Sequence, residues 1–197
     1  LAQELKAAHD MQMGLLPQAG LLVEGFDISG TCLPASEVGG DYFNYIWMDE
    51  ENTELGIAVA DVSGKAMKAA MIATVASGML QSEIKAGGST GDILSRQNTL
   101  LYLVTGKITF VAFFLAAINI RDRILRFSNA GLWEPIVRRG GELFHLETTG
   151  NRLPLGIIEK ETYEESSIEL REGDVVVFYT DGVIEATDDS NEMYGYE

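Results

Sequence analysis

The order of elements written into this sequence predicts an α+β fold built on mainly antiparallel sheet. Short segments rich in β-branched and aromatic residues come first, two adjacent helical stretches follow, and a second run of strands completes the chain. That order lacks the strand–helix alternation of βαβ units. Turn signals such as Arg139-Gly140-Gly141 separate the later strands closely. Hydrophobic residues make up 46% of the 197, enough for the core of one domain and too many for a disordered chain.

The opening segment, 1–16, has helical periodicity. Leu1, Leu5, Ala8 and Leu15 share a stripe with Gln12 at its intervening seam position, and Pro17 and Gly20 stop it. Two readings stand: a helix packed on its own domain, or the end of a coiled coil descending from an upstream domain, through which a homodimer would form. The chain begins at Leu1 rather than Met, which favours the connecting helix. We therefore expect a linker and regulatory helix over 1–20 and a domain over 21–197. Strands are expected at 26–33, 42–48 and 55–62.

A helix follows over 65–86, where Met67, Met71, Val75 and Met79 recur at four-residue steps and read as core filling. Gly87-Gly88 ends it, and a second helix runs over 92–104 with Ser89 or Thr90 as its cap. Strands complete the chain at 109–120, 124–128, 135–138, 142–146, 167–170 and 175–179.

Fourteen Lys and Arg against 30 Asp and Glu give a net charge of −16, which argues against a nucleic-acid partner because phosphate binding needs a basic surplus. Six of the acids crowd 159–172 against Lys160 and Arg171 and read as a solvated loop and strand edge. The single cysteine, Cys32, suits a reducing cytosol, and its apolar surroundings mark it as a buried thiol, not a nucleophile. The longest apolar run, 110–118, is too short for a membrane span, and no signal peptide opens the chain. A cytoplasmic location is expected.

Three aspartates share a context. Asp41 opens an apolar strand after Gly39-Gly40, Asp61 ends one before Val62-Ser63-Gly64, and Asp181 ends another within Thr180-Asp181-Gly182. A carboxylate at the mouth of a buried strand is costly unless it is paired, hydrogen-bonded or metal-bound. Acids on rigid strands beside glycine turns suit Mg²⁺ or Mn²⁺. Each alone reads more readily as a turn former or helix cap; three in one context weaken that reading considerably. Other chemistries fail. His9 and His145 lack the spacing of a zinc site or a triad, and Gly64-Lys65 lacks the remaining glycine and the Ser/Thr of a phosphate loop, having Val59 and Ala66 instead.

Glu37-Val38-Gly39-Gly40-Asp41-Tyr42-Phe43 and Ala60-Asp61-Val62-Ser63-Gly64-Lys65 resemble the metal-dependent PPM/PP2C-type serine phosphatases, in their bacterial SpoIIE/RsbU-like branch. Further matches follow in order: Asn98-Thr99-Leu100-Leu101-Tyr102, Phe127-Ser128-Asn129-Ala130-Gly131, Leu153-Pro154-Leu155-Gly156 and Tyr179-Thr180-Asp181-Gly182-Val183-Ile184-Glu185-Ala186. The resemblance implies an α-β-β-α sandwich of two mainly antiparallel sheets flanked by helices, with two Mn²⁺ or Mg²⁺ ions between the sheets. Asp61 would bridge them, Asp41 and the Val62 carbonyl would hold one, and Asp181 the other. It further implies a phosphoserine/phosphothreonine protein phosphatase using a metal-bridging hydroxide, with a phosphorylated anti-anti-sigma (STAS-type) substrate and an upstream sensor or receiver domain.

Three departures accompany the match. The family's last metal-binding Asp lies on a later strand, and this sequence stops at Glu197; Asp188-Asp189 sit in a variable turn and do not replace it. One metal is then expected to lack a ligand and the segment to turn over poorly. Leu132 stands where the family commonly has His, and Ala66 where Gly is frequent. These leave open an alternative, a phosphatase-like binding module with little turnover.

Overall fold

The computed structural model describes residues 2–34, 37–64, 66–106 and 109–195; Leu1, Lys65 and Glu197, named above, lie outside them. Helix α1 (Ala2–Met13) leads into a hairpin of β1 (Leu21–Val23) and β2 (Phe26–Ile28). Next come β3 (Tyr42–Trp47), β4 (Glu54–Val62) and the helical pair α2 (Ala66–Ala86) and α3 (Thr90–Thr105). Strands β5 (Val111–Asn119), β6 (Ile124–Ala130), β7 (Ile136–Arg139), β8 (Glu142–His145), β9 (Ser166–Glu169) and β10 (Val175–Val177) precede a short helix, α4 (Asp181–Ile184).

The strands form a five-stranded sheet in the order β3-β4-β5-β6-β9 and a three-stranded sheet β10-β7-β8, antiparallel throughout. Because side chains alternate along a strand, each face of the larger sheet serves a different layer. Ala58, Ala60, Val62, Phe113 and Leu115 face α2 and α3. Ile57, Val59, Phe114, Ala116 and Phe127 face Val137, Val176 and Phe178 of the smaller sheet side. Phe114 is the pivot of that second layer, stacked on Phe127 at 5.7 Å between ring centroids and edge-on to Phe178 at 5.6 Å. The expected antiparallel sandwich with flanking helices is therefore present. Its helical layer lies on one side: among the described residues no long helix covers the outer face of the smaller sheet, where Leu143, Val175 and Val177 stay exposed.

Several elements differ from expectation. The strand expected over 26–33 ends at Ile28 because its partner is the three-residue β1 across the turn at Gly25, whose φ of 81° suits glycine. The four-residue stripe of α2 is only in part its core face, for Met79 packs against the core and Met71 and Val75 do not. Met71 is 62% exposed and Val75 is exposed, while Ala69, Ala70, Ala73, Ala76, Leu80 and Ile84 are buried; small alanines let the helix lie close to the sheet. Helix α3 starts at Thr90 under a capping box of Ser89 and Asp92. The acidic segment is also more than a solvated edge, because Glu165 accepts from both the backbone and the hydroxyl of Thr90, at 2.7 and 2.9 Å, closing the start of α3. Among the described residues no helix is long and apolar enough to cross a membrane.

The burial contrast gives a direct check. Leu101→Ala, at a side chain fully buried between α3 and the sheet, is expected to cost about 3 kcal/mol. Met71→Ala is expected to stay within about 0.5 kcal/mol. Urea unfolding of the two variants decides it, and comparable losses would refute the assignment of the alanine face.

Candidate metal centre

Strand register brings the first two acids together. Tyr42 pairs with Ala60, so one step further along the ladder Asp41 stands opposite Asp61. Tyr42, Ala60 and Val62 point to the helices, so alternation turns Asp41 and Asp61 to the other face, between the sheets. Gly40 makes the approach possible. A Cβ there would lie 2.6 Å from the Val62 carbonyl oxygen and 3.3 Å from Asp61 Oδ1, and the Val62 N–H donates to the Gly40 carbonyl at 3.3 Å.

Asp181 comes from the opposite layer, in a setting the sequence did not suggest. Strand β10 stops at Val177, and Asp181 is the first residue of α4, with Thr180 at the N-cap. Helix α4 begins where the backbone turns inward, so the carboxylate leaves a helix start rather than a strand end. Thr180 makes no side-chain cap bond to its own helix. Its hydroxyl instead donates to Asp41 Oδ2 at 3.0 Å. A Cβ at Gly182 would make only ordinary van der Waals contact with the same oxygen, at 3.6 Å.

The electrostatics are those of crowded, uncompensated acids. Burial, then the charges of Asp41 and Asp181, then Glu185 push Asp61 up to about 6. Burial also raises Asp41 against the pull of the Thr180 hydroxyl, with the Asp181 charge adding to it. Among the described residues no Lys, Arg or His pairs with any of the three acids. Among them, too, no group of three His, Cys, Asp or Glu side chains is drawn close enough to hold a metal ion. Asp41 and Asp61 thus stand opposite each other across the ladder, and the charge of Asp181 reaches both.

Other residues singled out earlier take structural places. Cys32 is half-buried against the helical core, and burial and the nearby Asp41 charge raise its thiol, which agrees with a packed thiol rather than a nucleophile. Leu132 is buried in the inter-sheet core while its backbone N–H and C=O are both bonded by the Asn129 side chain, at 2.8 and 2.9 Å. Asn98, fully buried, clamps the backbone of Gly156, Ile158 and Glu159. Two residues escaped the sequence reading. Thr180 and Glu185 had no role of their own there; Glu185, four residues after Asp181 and so on the same helical side, reaches Asp61 through its charge.

The layers and this acidic corner define the PP2C-type phosphatase fold. The chain belongs to the family described as Stage II sporulation protein E (SpoIIE), whose model matches residues 51–197. Phosphoserine phosphatase RsbU of Bacillus subtilis (strain 168) is 27% identical over 188 residues, covering 94% of this chain and 54% of the relative. The chain thus spans about half the length of that relative. Among solved structures, the SiaA-PP2C domain of Pseudomonas aeruginosa matches at a TM-score of 0.79 with 21% identity, over 99% of this chain and 78% of that one. The RsbU and RsbW domains of Rv1364c from Mycobacterium tuberculosis match at 0.67 with 25% identity, over 78% of this chain and 42% of theirs.

Proposed function

We propose that residues 21–197 form the output domain of a bacterial signalling protein and release phosphate from phosphoserine or phosphothreonine in a partner protein, using two divalent cations. The observation that carries this reading is the placing of Asp41 opposite Asp61 on the ladder, with Thr180, the neighbour of Asp181, bonded to Asp41 and no cationic partner among the described residues. Hard oxygen donors in an open arrangement fit Mg²⁺ or Mn²⁺, because Mg²⁺ keeps several waters and takes only one or two carboxylates. Asp61, within reach of both other acids, suits the bridging position. Asp41 and the Val62 carbonyl would hold one ion, and Asp181 the other.

When bound, such a pair supplies a nucleophile at neutral pH and positive charge for the phosphoryl oxygens. The chain's own residues fix the donors. The ladder holds Asp61, the Thr180 hydroxyl orients Asp41, and the pairing of Gly40 with Val62 fixes the carbonyl between them. No histidine base is called for. His9 is engaged with the Glu37 carbonyl, and His145 is exposed on β8. Kinship with RsbU supports a phosphorylated anti-anti-sigma (STAS-type) protein as substrate, a sensor or receiver domain feeding residues 1–20, and a cytoplasmic setting. Leu132 serves the core here, so its departure from the family pattern lends nothing to a turnover-free reading.

The test uses the full-length protein with a phosphoserine-bearing STAS-type protein, following phosphate release as Mn²⁺ or Mg²⁺ is added. Metal-stimulated release that falls to background in Asp181→Asn is expected. A well-folded protein that binds this partner tightly yet releases no phosphate at any metal concentration would overturn it.

A further inference from the structure

Helix α1 ends against the loop that delivers Asp41. Gln12 is only 7% exposed, although the periodicity of the segment assigned it to a coiled-coil seam. Its carboxamide is turned into the domain and makes two bonds to a single residue. Nε2 donates to the Gly39 carbonyl at 2.6 Å, and Oε1 accepts the Gly39 N–H at 3.2 Å. One planar amide thereby fixes the peptide planes on both sides of the Gly39 Cα. The next carbonyl, that of Gly40, accepts from the Val62 N–H, and the next residue is Asp41. The glycine pair is held from α1 on one side and from β4 on the other. His9 bonds the Glu37 carbonyl one turn earlier along α1, Val38 is buried between these two contacts, and Leu16 is buried in the helical core just beyond α1.

We propose that Gln12 is a positioning residue for the metal centre: by pairing with both backbone groups of Gly39 it sets the Gly39-Gly40 turn and hence the place of Asp41 beside Asp61 and the Val62 carbonyl. This inference rests on the metal-site reading above. Hydrophobic contact alone does not account for the geometry. The two bonds satisfy an amide that burial would otherwise penalise, and both fall on one glycine 27 residues away, so the side chain fixes that glycine's backbone besides filling space. The contact also gives α1 a purchase on the centre that does not pass through the core, so a shift of the helix reaches Asp41 by way of two hydrogen bonds.

The experiment is a direct Mn²⁺ titration of the full-length protein, read by the electron-paramagnetic signal of free Mn²⁺, for the parent, Gln12→Met, Gln12→Glu and Asp61→Asn. Methionine keeps the length of the side chain and removes both bonds; glutamate keeps the acceptor for the Gly39 N–H and loses the donor. Partners behind a metal ligand are commonly worth roughly 10- to 100-fold in metal affinity, so Gln12→Met is expected to weaken Mn²⁺ binding by about that factor, with Gln12→Glu between it and the parent. Saturating Mn²⁺ is expected to restore most of the turnover number, a split that general loss of structure does not produce. If Gln12→Met melts several degrees lower yet binds Mn²⁺ like the parent, Gln12 is merely structural and the inference fails. Should Gln12→Met not fold, a Gln12→Glu isotherm superimposable on the parent's overturns it equally. If the parent binds no more Mn²⁺ than Asp61→Asn, the metal-site reading itself is what fails.

Discussion

Replacing Asp61 by asparagine is expected to abolish phosphate release and, at the same time, to stabilise the metal-free protein at about pH 8. The two effects have one cause. Asp61 is held among acids that only a cation relieves, and its carboxyl is raised from 3.8 to about 6 by burial and by Asp41 and Asp181. The native state therefore binds this proton more tightly than the unfolded chain. Its stability is greatest below 3.8, falls as pH rises through about 6, and stays at the lower level above. Taken at face value the shift is worth roughly 3 kcal/mol; the carboxyl is partly open to solvent, and screening brings this to about 1–2 kcal/mol. Asparagine carries no such penalty, so the variant is expected to melt about 2–6 °C above the parent at pH 8 in chelator and level with it near pH 4. Saturating Mn²⁺ reverses the order, since ligand stabilises only the protein that binds it. Thermal melts over pH with and without metal check all three points. A variant less stable than the parent at pH 8 without metal would show that the acids are not in conflict.

Gly40→Ala is expected to do comparable damage while leaving every carboxylate in the sequence. The added methyl would lie 2.6 Å from the Val62 carbonyl oxygen and 3.2 Å from the Val62 nitrogen. Strand β4 cannot yield, because it is hydrogen-bonded on both sides, so the turn must retreat and take Asp41 with it. A displacement near 1 Å at a reacting centre can cost about 10²-fold in rate, and overpacking of this kind typically costs about 1–3 kcal/mol. Gly39→Ala, whose Cβ would meet nothing nearer than Pro34 Cβ at 3.6 Å, should lose clearly less stability. Calorimetric melts of both variants and phosphate release by Gly40→Ala provide the measurement. Equal stability losses would mean that close backbone approach at Gly40 is not the constraint.

The positions of the acids were largely legible in the sequence, and their partners were not. Glycines beside apolar runs marked Asp41 and Asp61, and strand alternation then left only one face on which they could meet. Thr180 and Gln12 were invisible for a shared reason: each acts by a hydrogen bond across a long stretch of chain, and such a bond leaves no period in a local window. The stripe of Met67, Met71, Val75 and Met79 misled at Met71 and Val75 for the opposite reason. It was periodic and more hydrophobic than the alanines beside it, yet the sheet selected the small side chains that let α2 come near. Asp181 was found by its motif but assigned to the wrong element, because an apolar run and a following acid look alike whether the strand continues or a helix begins. Glu185 left a readable trace, an acid four residues after another, of a kind that is common on any solvated helix.

The bond from Thr180 to Asp41 spans 139 positions of the chain. Joining groups so far apart carries a loop-closure cost that local structure does not bear, and contacts of this range form late. During synthesis the hairpin, the first strands and both long helices have left the ribosome before residue 180 exists, so Asp41 waits without its orienting hydroxyl and without Asp181. A nascent or clipped chain lacking that corner would lack Asp181 and the Thr180 hydroxyl, and with them the proposed centre, however well its helices had packed.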